Sequence, residues 1–387
     1  MTGASMAGAV LLGLGAAHLL YTYAVYPWLV SLLPSRRPRD GGGGANAGTR
    51  PPLVSVVIAA RAGADPALIT GKVRDLLRTI GRRCEVVVVL DGPDSHTAAG
   101  LAGIGDERVR VDVLPARAGK AVALNRAVEI AKGELLVFTD VRQRVGAGAV
   151  EALVAALASP DVGAVSGALA IADAGRAEGL YERYWRFERQ LRTREAAWDS
   201  AVGVSGALYA LKREFWRPLP RGLLLDDVWV PFQVIRAGRR VAFAPHAIAT
   251  DVRAGSDAGE LARKVRTLTG NYQLLAWMPS LLHPGKNRIW WQFMSHKVMR
   301  LLTPLAAACV GAGVLLLAGR WALLLGAATG VGVTLAWILR PRDANGRPGV
   351  GVLGAVRSGL VLLVALVVAA LNAARGRWDV WSSSWQP

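Results

Sequence analysis

The 387-residue chain has few cysteines and few acids. Its two cysteines, Cys84 and Cys309, lie far apart in sequence with neither metal-ligand nor disulfide spacing. That excludes a disulfide framework and a cysteine metal site, and it argues against thiol chemistry. Acids number 28 against 46 Lys and Arg, a formal net charge of +18. A basic, apolar chain of this kind suits nucleic acid, anionic lipid or an anionic small substrate. The basic residues are scattered, with no nucleic-acid module and no aromatic platform, so nucleic acid is set aside. There is no internal repeat, and no Walker loop: ARAGKAVALN lacks the first glycine and the Lys-Ser/Thr pair.

What the chain does have is long uncharged runs. Residues 7 to 33 carry no formal charge over the length a bilayer span needs. The start, MTGAS, lacks the basic n-region of a signal peptide, and the basic flank SRRPR comes afterwards. Residues 1–34 therefore read as a retained anchor with its N-terminus outside, followed by a flexible linker at 35–52. Residues 285–300, GKNRIWWQFMSHKVMR, mix aromatics with Lys, Arg and His as an interfacial amphipathic helix would. Three further spans are expected within 301–375 (301–319, 321–339 and 358–374), then a short tail at 376–387. The basic loop 340–349 belongs to the cytoplasmic side, which leaves both termini outside.

Between the anchor and these spans, 53–284 reads as one α/β domain. Apolar strand-like runs occur at 53–60, 84–90, 109–114, 134–140 and 162–169. Helical segments such as GKVRDLLRTI and AVALNRAVEIAKG separate them, and two more strand candidates, GALYAL and RRVAFAP, follow. Continuous apolar strands alternating with helices predict a parallel sheet covered on both faces.

Polar residues gather where these strands end. LDGPDS places Asp91 after the second strand, and GELLVFTDVR places Asp140 and Arg142 after the fourth. In α/β folds that edge is where ligands bind, although Asp, Gly, Pro and Ser also make ordinary turns and helix caps. ARAGKAVALN sets Lys120 and Asn125 at a loop-to-helix junction, a place suited to phosphate. LLLDDVWV puts Asp226 and Asp227 at a helix start. There they favour the dipole, and as adjacent like charges they raise one pKa, as a general base requires. RKVRT offers Arg263 and Arg266.

In order and spacing these elements resemble the family 2 membrane glycosyltransferases, the group of cellulose, hyaluronan and poly-N-acetylglucosamine synthases. The resemblance runs from about residue 50 to 300. It rests on SVVIAA, Asp91, GKAVALN, DVR, VSGALYALKR, the Asp226-Asp227 pair and RKVRT. It implies a GT-A (Rossmann-like) cytoplasmic glycosyltransferase domain held by N- and C-terminal transmembrane helices. The implied enzyme is inverting and moves a sugar from a nucleotide donor, UDP expected, to a glycan or lipid-linked acceptor in envelope or extracellular polysaccharide synthesis.

By the same resemblance Asp227 is the catalytic base with Asp226 beside it. Asp91, Lys120, Asn125, Asp140, Arg142, Arg263 and Arg266 bind donor, and Ser205 and Gly206 lie toward the acceptor. A divalent cation, Mg2+ or Mn2+, would sit on Asp140. Four positions depart from the pattern. ARAGAD lacks the Asn-Glu acid, leaving Asp65 as a substitute; Arg142 replaces the second acid of Asp-x-Asp; Asp226 replaces Glu; and Thr267 stands where a tryptophan follows the second arginine. These losses also permit a second reading, a catalytically impaired subunit acting as a nucleotide-binding scaffold. Expected partners are the nucleotide sugar, the acceptor and the plasma-membrane bilayer. Intramembrane polar residues are few (His18, Thr303, Thr334 and Asn372), so transfer is short or the pore is completed by a homo-oligomer or an export partner.

Overall fold

The computed structural model describes residues 3–35, 51–172, 180–252, 257–318 and 352–380. The expected span 321–339 and the loop 340–349 lie outside the described residues. Its frame is an eight-stranded sheet in the order β3-β2-β1-β4-β7-β6-β8-β5. The run VSVVIAAR is apolar without alternation, so it suits a strand buried on both faces, and it forms β1 (Val54–Arg61) at the centre. β1 runs parallel to β2 (Cys84–Asp91) and β4 (Leu135–Phe138), and β2 runs parallel to β3 (Val109–Val113). Three helices connect them: α2 (Pro66–Thr79), α3 (Ser95–Ala102) and α4 (Lys120–Ile130).

Beyond β4 the expected all-parallel sheet is corrected to a mixed one. β5 (Arg144–Val145) and α5 (Ala149–Leu157) lead to β6 (Val162–Ala172), and α6 (Leu180–Trp198) leads to β7 (Tyr209–Lys212). β7 inserts between β4 and β6 and is antiparallel to both, with Phe138 opposite Tyr209. After α7 (Asp226–Arg236), β8 (Arg240–Val252) runs parallel to β6 and antiparallel to β5. An apolar run buried on both faces has the same composition in either direction, so the sequence pattern carried no direction for β7. The antiparallel insertion brings the start of β7 to the edge where β1, β2 and β4 end, and this builds the site.

The two faces of the strands feed two cores. Val57, Val87, Val89, Leu136 and Phe138 pack with α4 and α7, whereas Val56, Ile58, Val86, Val88 and Val137 pack with α2 and α5.

Helix α1 (Gly3–Leu32) is long and apolar enough to cross a membrane. After the domain come α8 (Asp257–Trp277), α9 (Trp290–Leu301), α10 (Thr303–Ala318) and α11 (Val352–Ala374). α9 and α10 meet at 56° and pass the same length test only as a pair, and the apolar part of α11, Val361–Ala374, is shorter. Small residues let α1 and α10 touch: a Cβ on Gly15 would lie 2.6 Å from the Ala306 carbonyl, and one on Gly313 2.6 Å from the Leu12 nitrogen.

α1 is also keyed into the α/β domain. Buried Tyr26 donates a 2.5 Å hydrogen bond to Glu195 of α6, and Trp291 of α9 packs edge-on against the Tyr26 ring. Glu195 is shared with His296 of α9 at 2.8 Å, while Glu188, about two turns earlier on α6, holds His296 and Arg300. A hydrogen bond to a buried charge contributes about 1.5–3 kcal/mol. Tyr26→Phe is therefore expected to lower the thermal midpoint measured in detergent. An unchanged midpoint would show that α1 is merely appended to the domain.

Candidate active site

The site begins where β4 stops. The Phe138 ring stacks on Tyr209 at 4.7 Å and on Trp216 at 5.2 Å, which anchors the strand end. Thr139 then turns inward. Its hydroxyl donates to the Ala207 carbonyl at 2.8 Å and accepts from Lys72 at 3.1 Å. Lys72 also donates to the Gln143 carbonyl, so one buried ammonium clamps both ends of the 139–143 loop. Burial pushes that ammonium down to about 8. Nothing in the sequence pattern had marked Lys72.

With Thr139 fixed, Asp140 points toward Lys120, which lies 3.0 Å from Asp140 and 3.1 Å from Asp226. Lys120 is the first residue of α4, and the turn before it needs Gly119 in the left-handed region at φ 93°. Asp91 sets that turn by accepting from the Ala118 and Gly119 nitrogens at 2.6 and 3.1 Å. Arg117 braces the same loop by donating to the Ala62 carbonyl at 2.7 Å. Burial alone would lower the Lys120 pKa; Asp140, Asp226 and Asp227 more than reverse this and leave it raised.

Asp226 and Asp227 open α7 beneath the buried Leu223, Leu224 and Leu225. The two acids differ. Asp226 is buried, bound by Lys120 and approached by the Tyr209 hydroxyl at 3.5 Å. Asp227 is partly exposed, and its carboxylate accepts no hydrogen bond from a described residue. Its backbone carbonyl accepts from Val204 at 2.8 Å, and a Cβ placed on Gly206 would lie 3.6 Å from its Oδ2. Burial first, and the neighbouring Asp226 second, push Asp227 up to about 6, with Lys120, Lys297 and Arg192 opposing. A carboxyl poised near neutrality, partly exposed and with its oxygens unengaged by described residues, is suited to accept a proton.

The other sequence-selected residues separate into two groups. Arg266 of α8 reaches the cluster: burial holds its pKa down, and Asp140, Asp227 and Asp226 act against that. Ser205 is buried beside Gly206, its nitrogen donating to Ser166 at 2.9 Å. Arg263 lies one turn before Arg266 and is partly buried. Asn125, by contrast, faces away from Lys120 and pairs with Leu219 through both amide atoms, at 2.8 and 2.9 Å. Arg142 is exposed and helps line a cavity along α2 with Lys72, Asp75 and Arg78, while its charge acts on Arg266. Asp65 caps α2 by accepting from Ala67 at 2.9 Å. The sequence pattern also missed Gln273, whose amide holds Leu224 and Gly222 at 2.9 and 3.0 Å and so steadies the loop before Asp226.

For a metal, Asp140 is the one suitable ligand in this constellation. Among the described residues no group of three or more His, Cys, Asp or Glu gathers. The Asp140 side chain is 39% exposed against 9% for Asp226, and Lys120 contacts only one of its oxygens. That donor set fits a hard cation that draws its remaining oxygens from phosphate and water.

Comparison with known proteins bears on the fold and on the class of enzyme. Residues 55–216 match the family model described as Glycosyl transferase family 2. Among solved structures, the chain is similar to the mannosyltransferase PcManGT from Pyrobaculum calidifontis, described in complex with GDP-Man and Mn2+. Identity is 22% and the TM-score 0.72, over 97% of this chain and 99% of that one. It also matches GalNAc-T7, described with UDP, GalNAc and Mn2+, at 16% identity and a TM-score of 0.44, over 59% and 48%. No curated protein matches the chain. The fold is thus GT-A-like, with a mixed sheet. The chain is a glycosyltransferase.

Proposed function

We propose that the protein transfers a sugar, with inversion, from a nucleoside diphosphate sugar to an acceptor hydroxyl at the membrane. The observation that carries this reading is the Lys120 ammonium joining Asp140 and Asp226 directly beside the unengaged carboxylate of Asp227. Asp91 shapes the loop over which a nucleotide would lie, and Lys120, Arg266 and Arg263 meet its diphosphate. The acceptor oxygen attacks the anomeric carbon and forms the glycosidic bond as the bond from that carbon to the diphosphate oxygen breaks. Its proton passes to Asp227, and the electron pair leaves with the nucleoside diphosphate. The neighbour with GDP-Man and Mn2+ supports a nucleotide-sugar donor and a divalent cation. That cation would be held by Asp140 and would offset charge on the leaving diphosphate. Purified protein in detergent, supplied with a panel of UDP- and GDP-sugars, is expected to release nucleoside diphosphate from at least one. Binding of every donor without turnover would instead support the scaffold reading.

The arginine at 142, in place of a second acid, bears on the metal. Arg142→Asp restores an acid two residues after Asp140 and is expected to steepen the dependence of rate on Mg2+ or Mn2+. Arg142→Ala is expected mainly to raise the donor KM, since a guanidinium binds phosphate directly. Three superimposable metal titrations would contradict this role.

We further propose that α1 crosses the plasma membrane with the α/β domain on the cytoplasmic side. The basic flank after α1 and its keyed contacts with α6, α9 and α10 support this over a removable leader.

A further inference from the structure

The stretch between β4 and β5 alternates in burial. Thr139, Val141 and Gln143 are buried, whereas Asp140 is partly exposed and Arg142 and Arg144 are exposed. An extended chain turns successive side chains to opposite sides, so Asp140 shares its side with the two arginines. β4 ends at Phe138 and β5 starts at Arg144, so residues 139 to 143 belong to neither strand. Their inward set fixes them. Val141 joins the same core as Ile69, Val73 and Leu76 of α2, and the other two are held by one side chain, Lys72.

Lys72 donates to the Thr139 hydroxyl at 3.1 Å and to the Gln143 carbonyl. The Thr139 proton is committed to the Ala207 carbonyl at 2.8 Å, so the ammonium is the donor between Lys72 and Thr139. One anchor lies just before Asp140 and the other just after Arg142. Lys72 is 6% exposed, and burial pushes its pKa down to about 8, with Asp140 and Asp75 acting against that. Methionine would fill much the same space on α2 without a buried charge. What the ammonium adds is two directed donors. Lys72 also lines the cavity of about 360 Å3 along α2, so space for a somewhat larger head group adjoins this side chain.

Thr139 carries the contact on to Ala207, the residue after Gly206, which lies against Asp227. Asp227 itself is set from another direction, in the first turn of α7 with its backbone carbonyl held by Val204. The part of the site that depends most directly on Lys72 is therefore the loop of Asp140.

We infer that Lys72 is a positioning residue for sugar transfer, holding the 139–143 loop at both ends so that Asp140 presents its carboxylate to the cation and the donor diphosphate. The inference rests on the transferase reading above and adds a residue, remote from the reacting atoms, on which cation and donor affinity depend. Lys72 takes no part in the proton transfer at Asp227. Its loss is expected in binding and not in the chemical step.

The test uses the full chain in detergent and has two arms. One measures Mn2+ affinity from the paramagnetic resonance signal of free Mn2+, with UDP or GDP present. The other measures kinetics with a donor that the wild type turns over. Lys72→Met is expected to weaken Mn2+ binding and raise the donor KM, each roughly tenfold, with kcat at saturation within about threefold of the wild type. Lys72→Arg keeps the charge and both donors and is expected to bring both constants back near their wild-type values. Thr139→Val removes one anchor and is expected to reproduce part of the effect. Combined with Lys72→Met it should fall short of the product of the two single effects, because both act through one contact.

Unchanged Mn2+ affinity and donor KM in Lys72→Met would overturn the inference. So would Lys72→Arg as impaired as Lys72→Met, which assigns the residue to packing alone, or a fall in kcat with both constants unchanged. If Lys72→Met does not fold, Thr139→Val decides: wild-type constants there overturn the role, and weakened ones uphold it. The Mn2+ arm needs no turnover, so it stands apart from the transferase reading, which fails if the wild type turns over no donor.

Discussion

Asp227→Asn abolishes most transfer while leaving the donor bound. Asn keeps the size and polarity of the side chain but cannot take the acceptor proton, and general bases contribute about 10²- to 10⁴-fold. A fall in kcat of that size is expected, with donor affinity by calorimetry little changed, because the groups proposed to meet the diphosphate are Lys120 and Arg266, which lie around Asp140. Acidification should mimic the variant. Asp227 must be charged to act, and burial together with Asp226 has pushed it up to about 6. Below about pH 6, log kcat/KM should therefore fall with unit slope, and above it the acid limb should level off. Facing groups set this limb: Asp226 raises it, while Lys120, Lys297 and Arg192 lower it. A profile flat from pH 5 to 7 would remove Asp227 from the proton transfer.

Lys120→Met is the change expected to damage stability as well as rate. Asp226 is buried and Lys120 is its cationic partner at 3.1 Å, so methionine leaves a buried carboxylate without its countercharge. Removing one partner of a buried pair costs about 3–5 kcal/mol. Because Asp140 is partly exposed, its share of that loss is small, and the cost falls chiefly on Asp226. A drop in thermal midpoint on the order of 10 °C is expected. The double variant Lys120→Met with Asp226→Asn should recover much of the midpoint, since neither partner is then charged, but no activity. If the double variant is no more stable than the single one, the ion pair is not what holds α4 to α7.

The parts that could be read directly from the sequence are those with a one-residue signal. Apolar runs ending in Asp91 and Asp140 identified strand ends, and LLLDD identified a helix start with two acids, because turn and cap chemistry is local. GKAVALN announced Lys120 by its place before a helix. What could not be read depended on long-range partners. Asn125 looks equally apt for a phosphate or for a loop, and only the approach of Leu219, 94 residues on, decides that it holds backbone. Lys72 sits on an ordinary amphipathic helix, and its role appears only when Gln143 and Thr139 are brought over it. The direction of β7 left no mark, yet it is what carries Gly206 and Tyr209 to Asp226 and Asp227. On α9, residues 290 to 300 suggest a membrane-surface helix by their mix of aromatics and cations. In the fold Gln292, Phe293, Ser295, His296 and Val298 are all buried, and α6 takes up His296 and Arg300.

Asp227 is proposed to drive sugar transfer from a nucleotide donor. That role is tested most directly by measuring nucleoside diphosphate release and product formation together, for the wild type and Asp227→Asn, across the donor panel with acceptor present. One preferred donor, stoichiometric product of inverted anomeric configuration, and a loss of both signals of about a hundredfold or more in the variant are expected. Product of retained configuration, or full activity in Asp227→Asn, would contradict it.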